Sequence, residues 1–141
     1  MYTGFFPVAS SWTPVVTFAT PGDLNVVYGS QLGSYLRFGN HIFLRFHITC
    51  STFTYTTASG NLQITGIPTA ATAGIGNFVG NGLAQGWASA GAIVVPYIAG
   101  GASLIQWYLT QSNQAIALLT NTQVASASNP QFYGTIEYRA A

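Results

Sequence analysis

The sequence predicts an all-β protein, a single-domain antiparallel β-sandwich of the jelly-roll type. Short segments rich in β-branched and aromatic residues alternate with glycine, proline and asparagine turns, and no segment has the spacing of an amphipathic helix. A length of 141 residues suits one domain with its own core. Ionisable groups are scarce, because the chain has only three arginines, no lysine and two carboxylates, Asp23 and Glu137.

The N-terminal stretch, residues 1–22, is predicted to be an extended arm outside the sandwich. Its prolines disfavour a helix and a central strand, and its aromatic residues disfavour a solvated tail. Aromatic side chains often anchor protein interfaces. We therefore expect the arm to contact a partner through Tyr2, Phe5, Phe6 and Trp12. The alternative is a first edge strand with loops on the same domain.

The sandwich is predicted over residues 23–141, and its clearest strand begins at His41 after a Gly39-Asn40 turn. Apolar residues occupy every second position from Ile42 to Cys50, which is the period of a strand with one buried face. Further strands are predicted at residues 26–28, 34–38, 62–65, 93–98, 104–110 and 132–139.

Three segments of the sandwich carry weaker signals. Pro96 is expected to mark an edge strand or a bulge, because proline cannot donate to a sheet. Residues 69–91 are rich in small residues and are expected to form loops with one or two short strands. Residues 115–119 fit either a short strand or a single helical turn.

The charge content limits the possible partners. A formal net charge of +1 without a cationic cluster argues against nucleic acid. No apolar run approaches the ~20 residues of a spanning helix, so we expect no membrane partner. Soluble monomers usually carry charge on ~25–35% of surface positions, whereas only 4% of this chain is charged. We therefore expect the chain to be covered by copies of itself, as a homotrimer, or by a larger assembly.

Catalytic chemistry is not predicted, and neither is a metal or a cofactor. General acid–base work usually needs paired titratable groups, and Asp23 sits in a turn signal. The other charged positions fall in pairs on strand faces, where they are possible polar contacts at a subunit interface: Arg45 with His47, and Glu137 with Arg139. Glu137 is expected to pair with one of the arginines.

One group of residues has binding character, because it combines aromatic rings with neutral amides. Rings stack on sugars, and side-chain amides bond to hydroxyl groups. We favour the alternative that these rings belong to the core and to subunit interfaces. The aromatic members are Tyr55, Trp87, Tyr97, Trp107 and Tyr108.

Several segments resemble a domain found in tailed bacteriophages. The most specific is Gly60-Asn61-Leu62-Gln63-Ile64-Thr65-Gly66-Ile67-Pro68. The others are Trp12-Thr13-Pro14, Thr17-Phe18, Tyr28-Gly29-Ser30-Gln31-Leu32-Gly33-Ser34-Tyr35 with Gly39, and Gly134-Thr135-Ile136-Glu137-Tyr138-Arg139.

The resemblance implies a trimeric β-sandwich on a virion surface, with no catalytic motif. Such domains form the tips of tail fibres and tail spikes, and similar small jelly rolls act as head-decoration, or cement, proteins. Fibre tips follow a stalk and a virion anchor, and this chain reaches the domain within about a dozen residues of Met1. We therefore expect a capsid-surface cement protein that contacts the major capsid protein or neighbouring trimers. The alternative is a fibre tip that recognises host surface glycans.

Overall fold

The structure is a computed structural model that describes residues 8–141, and those residues form eleven strands and no helix. The predicted all-β class is therefore confirmed. In chain order the strands are β1 (Val8–Trp12), β2 (Val15–Thr20), β3 (Asn25–Phe38), β4 (His41–Thr54), β5 (Ser59–Thr65), β6 (Phe78–Val79), β7 (Asn81–Gln85), β8 (Ile93–Ile98), β9 (Gln106–Thr110), β10 (Ala117–Leu118) and β11 (Gln131–Arg139).

The strands form two packed layers, as the sequence predicts for a sandwich. One layer is a five-stranded sheet in the order β1-β3-β4-β11-β7. The other contains a four-stranded sheet, β10-β9-β8-β6, and the pair β2-β5, which adjoins it through the bridge between Ile64 and Ile105. Every strand pair is antiparallel. The short β10 shows that residues 115–119 contain a strand rather than a helical turn.

A long hairpin of β3 and β4 forms the centre of the five-stranded sheet. Its tip is the predicted turn at Gly39 and Asn40. The sequence places a break at Gly29, but β3 runs through it with two compensating irregularities that leave Gly29 and Ser51 without partners. A Cβ at Gly29 would lie 2.8 Å from the Thr49 hydroxyl oxygen, so glycine suits this bulge.

The inner face of β4 builds much of the core. Ile42, Leu44, Phe46 and Ile48 are buried, and the intervening residues point away from the other layer. The adjacent β11 repeats the pattern, and Phe132, Ile136 and Tyr138 are buried in register with β4. The period-two prediction for both strands is therefore confirmed.

Large and small residues alternate across one inner row of the sheet. Phe46 pairs with Gly33 on β3 and with Gly134 on β11, and Gly33 pairs with Trp12. The Trp12 ring covers Gly33. The Trp12 Nε1–H donates to the Arg45 carbonyl oxygen at 3.1 Å. The Phe46 ring similarly occupies the space above Gly134, where a Cβ would lie 2.5 Å from the ring. The two glycines make room for the two aromatic rings.

Residues 8–20 belong to the sandwich, which differs from the arm predicted for residues 1–22. β1 pairs with β3, and β2 pairs with β5 in the other layer. Pro14 lies where the chain crosses between the layers, and its carbonyl oxygen accepts a 2.7 Å hydrogen bond from Gln31. The proline signal therefore reflects this crossing. Residues 1–7, with Tyr2, Phe5 and Phe6, lie outside the described residues.

Pro96 is not on an edge strand, because β8 lies between β9 and β6. Its partner on β9 is Trp107, whose carbonyl oxygen accepts from Leu119 on the far side. The pair Pro96–Trp107 therefore exchanges no backbone hydrogen bond. On the other side of Pro96, β6 is only two residues long. The missing N–H of Pro96 thus breaks no bond to β9.

The glycine row makes a testable prediction about packing. Gly134→Ala should destabilise the protein by about 1–3 kcal/mol, because the new methyl group overpacks the ring of Phe46. Phe46→Leu removes the clashing ring atoms. We expect the double variant, Gly134→Ala with Phe46→Leu, to be less destabilised in chemical denaturation than the sum of the single variants. Simple additivity would contradict this account of the row.

Candidate functional site

The outer face of the four-stranded sheet carries an aromatic–amide cluster of Asn77, Tyr97, Gln106 and Tyr108. The strand register places Tyr97 of β8 beside Gln106 of β9, and Tyr108 beside Val95. Alternation along β9 turns Trp107 into the core and leaves Gln106 and Tyr108 on the outer side. Asn77 precedes β6 and is exposed. The cluster contains no charged residue.

The two tyrosine rings of the cluster are stacked on each other. Their centroids are 3.8 Å apart and their planes differ by 10°. Tyr97 is only 5% exposed, whereas Tyr108 is half-buried, so Tyr108 is the ring available to a ligand. Burial raises the pKa of the Tyr97 phenol, and the adjacent Tyr108 raises it further. The Tyr97 hydroxyl therefore stays a hydrogen-bond donor at neutral pH.

Hydrogen bonds orient both amides of the cluster. The Tyr97 hydroxyl donates to Gln106 Oε1 at 2.8 Å, and Asn77 Nδ2 donates to the Tyr108 hydroxyl oxygen at 2.6 Å. Gln106 Nε2 and Asn77 Oδ1 have no partner among residues 8–141. The cluster thus presents a ring, a donor group and an acceptor to a neutral ligand.

The other aromatic residues proposed for sugar stacking do not join this cluster. Trp107 is fully buried and packs edge-on against Phe46, with ring centroids 6.0 Å apart. Trp87 is half-buried and donates to the Ala84 carbonyl oxygen at 2.8 Å. The Tyr55 hydroxyl lies 2.6 Å from the Val124 carbonyl oxygen. These three side chains pack in the core or at its edge.

Two members of the cluster were missed by the sequence reasoning. Gln106 lies in the predicted strand of residues 104–110, and its alternation with Trp107 was the signal that would have placed it outside. Asn77 lies in the predicted loops of residues 69–91, and nothing in its local sequence points to Tyr108.

The predicted polar positions all lie on the outer face of the five-stranded sheet. Arg45 is exposed, and His47 packs edge-on against Tyr133, with ring centroids 4.6 Å apart. Glu137 and Arg139 are exposed on β11. Among residues 8–141 the expected pairing of Glu137 with an arginine does not occur, and the Glu137 carboxylate instead meets His41 Nδ1 at 3.6 Å.

The fourth residue assigned to the arm, Trp12, is buried in the core rather than exposed for a partner. It is 7% exposed and meets Phe46 edge-on, with ring centroids 6.4 Å apart. This burial follows from the pairing of β1 with β3, which brings Trp12 opposite Gly33.

The two carboxylates of the described residues do not form a pair within one subunit. Asp23 lies beyond the Asn25–Thr54 end of the central hairpin, and Glu137 pairs with Phe43 near the other end. Eleven residues of strand separate these positions, which is roughly 35 Å at the usual rise. A glycosidase pair needs a separation of only about 5–9.5 Å. No group of three potential metal ligands occurs among residues 8–141.

Asp23 has a structural role at the start of β3. Its carboxylate accepts a 2.5 Å hydrogen bond from the Thr56 hydroxyl, and it also accepts from the Thr57 and Thr56 backbone N–H groups, at 2.7 and 2.9 Å. These bonds stabilise the charged form and hold the pKa of Asp23 well below its usual range, with the Thr56 hydroxyl as the largest cause. The carboxylate joins the β2–β3 turn to the end of β4.

The lowered pKa of Asp23 predicts a pH-dependent stability. The group contributes stability above its unfolded pKa of about 3.9, and the contribution is lost as pH falls towards the folded value. Asp23→Asn should therefore melt below the unaltered protein at pH 7, and the gap should narrow from about pH 4 downwards. Thr56→Val keeps the carboxylate and should show a smaller gap. A gap that is constant from pH 7 to pH 2 in thermal melts would contradict this role.

Comparison with known proteins links the fold to a phage protein. No protein-family model matches the chain, and no curated protein matches it. The crystal structure of the Dettilon tailspike protein is similar, with a TM-score of 0.71 and 20% sequence identity. The match covers 96% of this chain and 24% of that protein, so the chain spans about a quarter of its length. At this identity the likeness establishes a shared β fold.

Membrane insertion through a helix has no support in the described part of the chain. Residues 8–141 contain no helix that is long and apolar enough to cross a bilayer.

Proposed function

We propose that the chain is a tail-associated virion module of a tailed bacteriophage, and that it binds neutral glycans of the host surface through the aromatic–amide cluster. The observation that carries the proposal is the likeness of nearly the whole chain to a segment of a tailspike protein. The cluster supports it independently, because its ring and amides suit a sugar. A capsid-decoration protein, which the sequence favours, shares the virion location but needs no such cluster.

The chemistry of the cluster favours a neutral saccharide over other ligands. One face of a sugar ring presents C–H groups that pack on an aromatic ring. In the cluster, the ring of Tyr108 is the one available for this contact. Sugar hydroxyl groups both donate and accept, which matches the free Gln106 Nε2 and Asn77 Oδ1. No lysine, arginine or histidine lies in the cluster, so it has no means of attracting an anionic polymer.

Catalysis is not part of this proposal. Cleavage of a glycoside requires two carboxyl groups flanking the bond, and the cluster has none. The module is proposed to hold the glycan without cutting it.

Two variants of Tyr108 separate the contribution of its ring to glycan binding from that of its hydroxyl group. Tyr108→Ala should weaken binding to a neutral bacterial-surface oligosaccharide about three- to tenfold, the value of one aromatic contact. Tyr108→Phe keeps the ring and should retain most of the affinity. Ile93→Ala is a matched control, because Ile93 is exposed on the same sheet and lies outside the cluster. The measurement is a glycan array followed by calorimetric titration of the hits.

Two results would contradict the glycan proposal. One is the absence of saturable binding to any neutral saccharide on the array. The other is equal loss of affinity in Tyr108→Ala and Ile93→Ala, since that would place the ligand elsewhere.

Particle imaging with a labelled antibody tests the tail location separately. A handful of copies at the tail supports the proposal. Hundreds of copies on the head would contradict it and would favour a cement protein in contact with the major capsid protein or neighbouring trimers.

A further inference from the structure

The outer face of the five-stranded sheet is an apolar surface that the fold leaves uncovered. Leu32 of β3 and Leu83 of β7 are 63% and 56% exposed. The register places both in one row that crosses four strands through His47 and Tyr133. Four residues along the strands, Phe43 lies beside Leu36, and both are exposed. The exposed apolar side chains thus form a patch of two rows, with the polar row of Ser34, Arg45 and Thr135 between them.

Charge at the centre of the patch is unbalanced within one chain. Arg45 lies between the two apolar rows, opposite Ser34 and Thr135. It forms no ion pair with any of residues 8–141. Glu137 lies on the neighbouring strand, two positions further along, beside Phe43. The same face therefore displays a guanidinium group with no ion-pair partner among residues 8–141 and, diagonally across on β11, a carboxylate that contacts His41.

The surface of the patch has protruding side chains and depressions between them. Depressions of about 390 and 310 Å³ flank Arg45, one towards Leu32 and one towards Leu83. A third, of about 420 Å³, lies between Phe43, Asn81 and Glu137. The exposed leucine and phenylalanine side chains project beside them, so the face offers side chains and the hollows that could receive them.

We propose that this face is the contact between copies of this chain, and that Arg45 of one copy pairs with Glu137 of the next. A second copy supplies a carboxylate for Arg45, together with side chains that fit the hollows and hollows that receive the projecting side chains. A heterologous contact of this kind gives a ring around an axis when the rotation between copies closes, as it would in the proposed homotrimer. The face measures roughly 600 Å² when flat, from five strands about 4.8 Å apart and eight residues long. Its accessible area thus approaches the ~800 Å² per partner of a stable interface.

This inference does not depend on the glycan proposal, because it concerns the opposite layer of the sandwich. If the protein fails to bind sugars, the subunit contact can still be tested. A monomer that binds glycan through the aromatic–amide cluster would overturn the subunit contact and leave the glycan proposal standing.

Charge reversal tests the pairing directly. Arg45→Glu and Glu137→Arg should each dissociate the oligomer, raising the dissociation constant by more than about tenfold, because each sets like charges against each other. The double variant, Arg45→Glu with Glu137→Arg, should recover the oligomer. Mass is measured by light scattering after gel filtration, and circular dichroism verifies that each variant is folded.

Apolar variants test the face itself. Leu32→Ser and Leu83→Ser change exposed positions and should dissociate the oligomer without loss of the fold. Ile116→Glu is the matched control, because Ile116 is 66% exposed and lies next to β10 in the other layer. It should leave the mass unchanged.

Three results would overturn the inference. They are an unaltered chain that runs as a single subunit, single reversed variants that keep the mass of the unaltered oligomer, and a double variant that stays dissociated. Dissociation by Ile116→Glu equal to that by Leu83→Ser would also place the contact elsewhere.

Discussion

The structure depends on the alternation of β4, which turns a row of apolar side chains into the core and leaves Phe43 among polar residues on its outer face. The inner residues, such as Phe46, build the core against the second layer. The outer residues, such as Phe43, share their face with exposed leucines on β3 and β7. Folding buries the inner face of β4, and we propose that a neighbouring copy of the chain covers the outer one. Three of the five charged side chains of the chain, Arg45, Glu137 and Arg139, lie on the same outer face.

The two layers divide the proposed work between them. The five-stranded sheet has the long, regular strands and the apolar outer face, which suits a contact repeated between subunits. The four-stranded sheet has short strands, and its outer face carries the neutral cluster around Tyr108. A ligand site on the layer away from the subunit contact stays open when the copies assemble. Three of the charges follow the same division, because Asp23 bonds to groups within the subunit, whereas Arg45 and Glu137 lie on the proposed contact face.

Alternation along the chain was enough to predict β4 with its buried face and the positions of β8, β9 and β11, but β1 and β2 fell inside the predicted arm. It could not place features that depend on strand register. Pro14 resembles part of an arm in the sequence, yet it marks a crossing between layers, and only the pairing of β1 with β3 explains why Trp12 is buried. Pro96 is tolerated inside β8 because of the hydrogen-bond direction of its partner, which no local pattern encodes. Asn77 donates a hydrogen bond to Tyr108, which lies 31 positions further along the sequence. The local sequence around Asn77 therefore could not predict its place in the cluster.

The central claim is that a subunit of this protein does not exist alone, because the outer face of its larger sheet requires a copy of itself. Sedimentation equilibrium of the unaltered chain over a wide concentration range tests it most directly. The account predicts a mass that is a whole multiple of the 14.9 kDa subunit, with three copies expected, and that persists on dilution. A compact particle of 14.9 kDa at the highest concentration would contradict it.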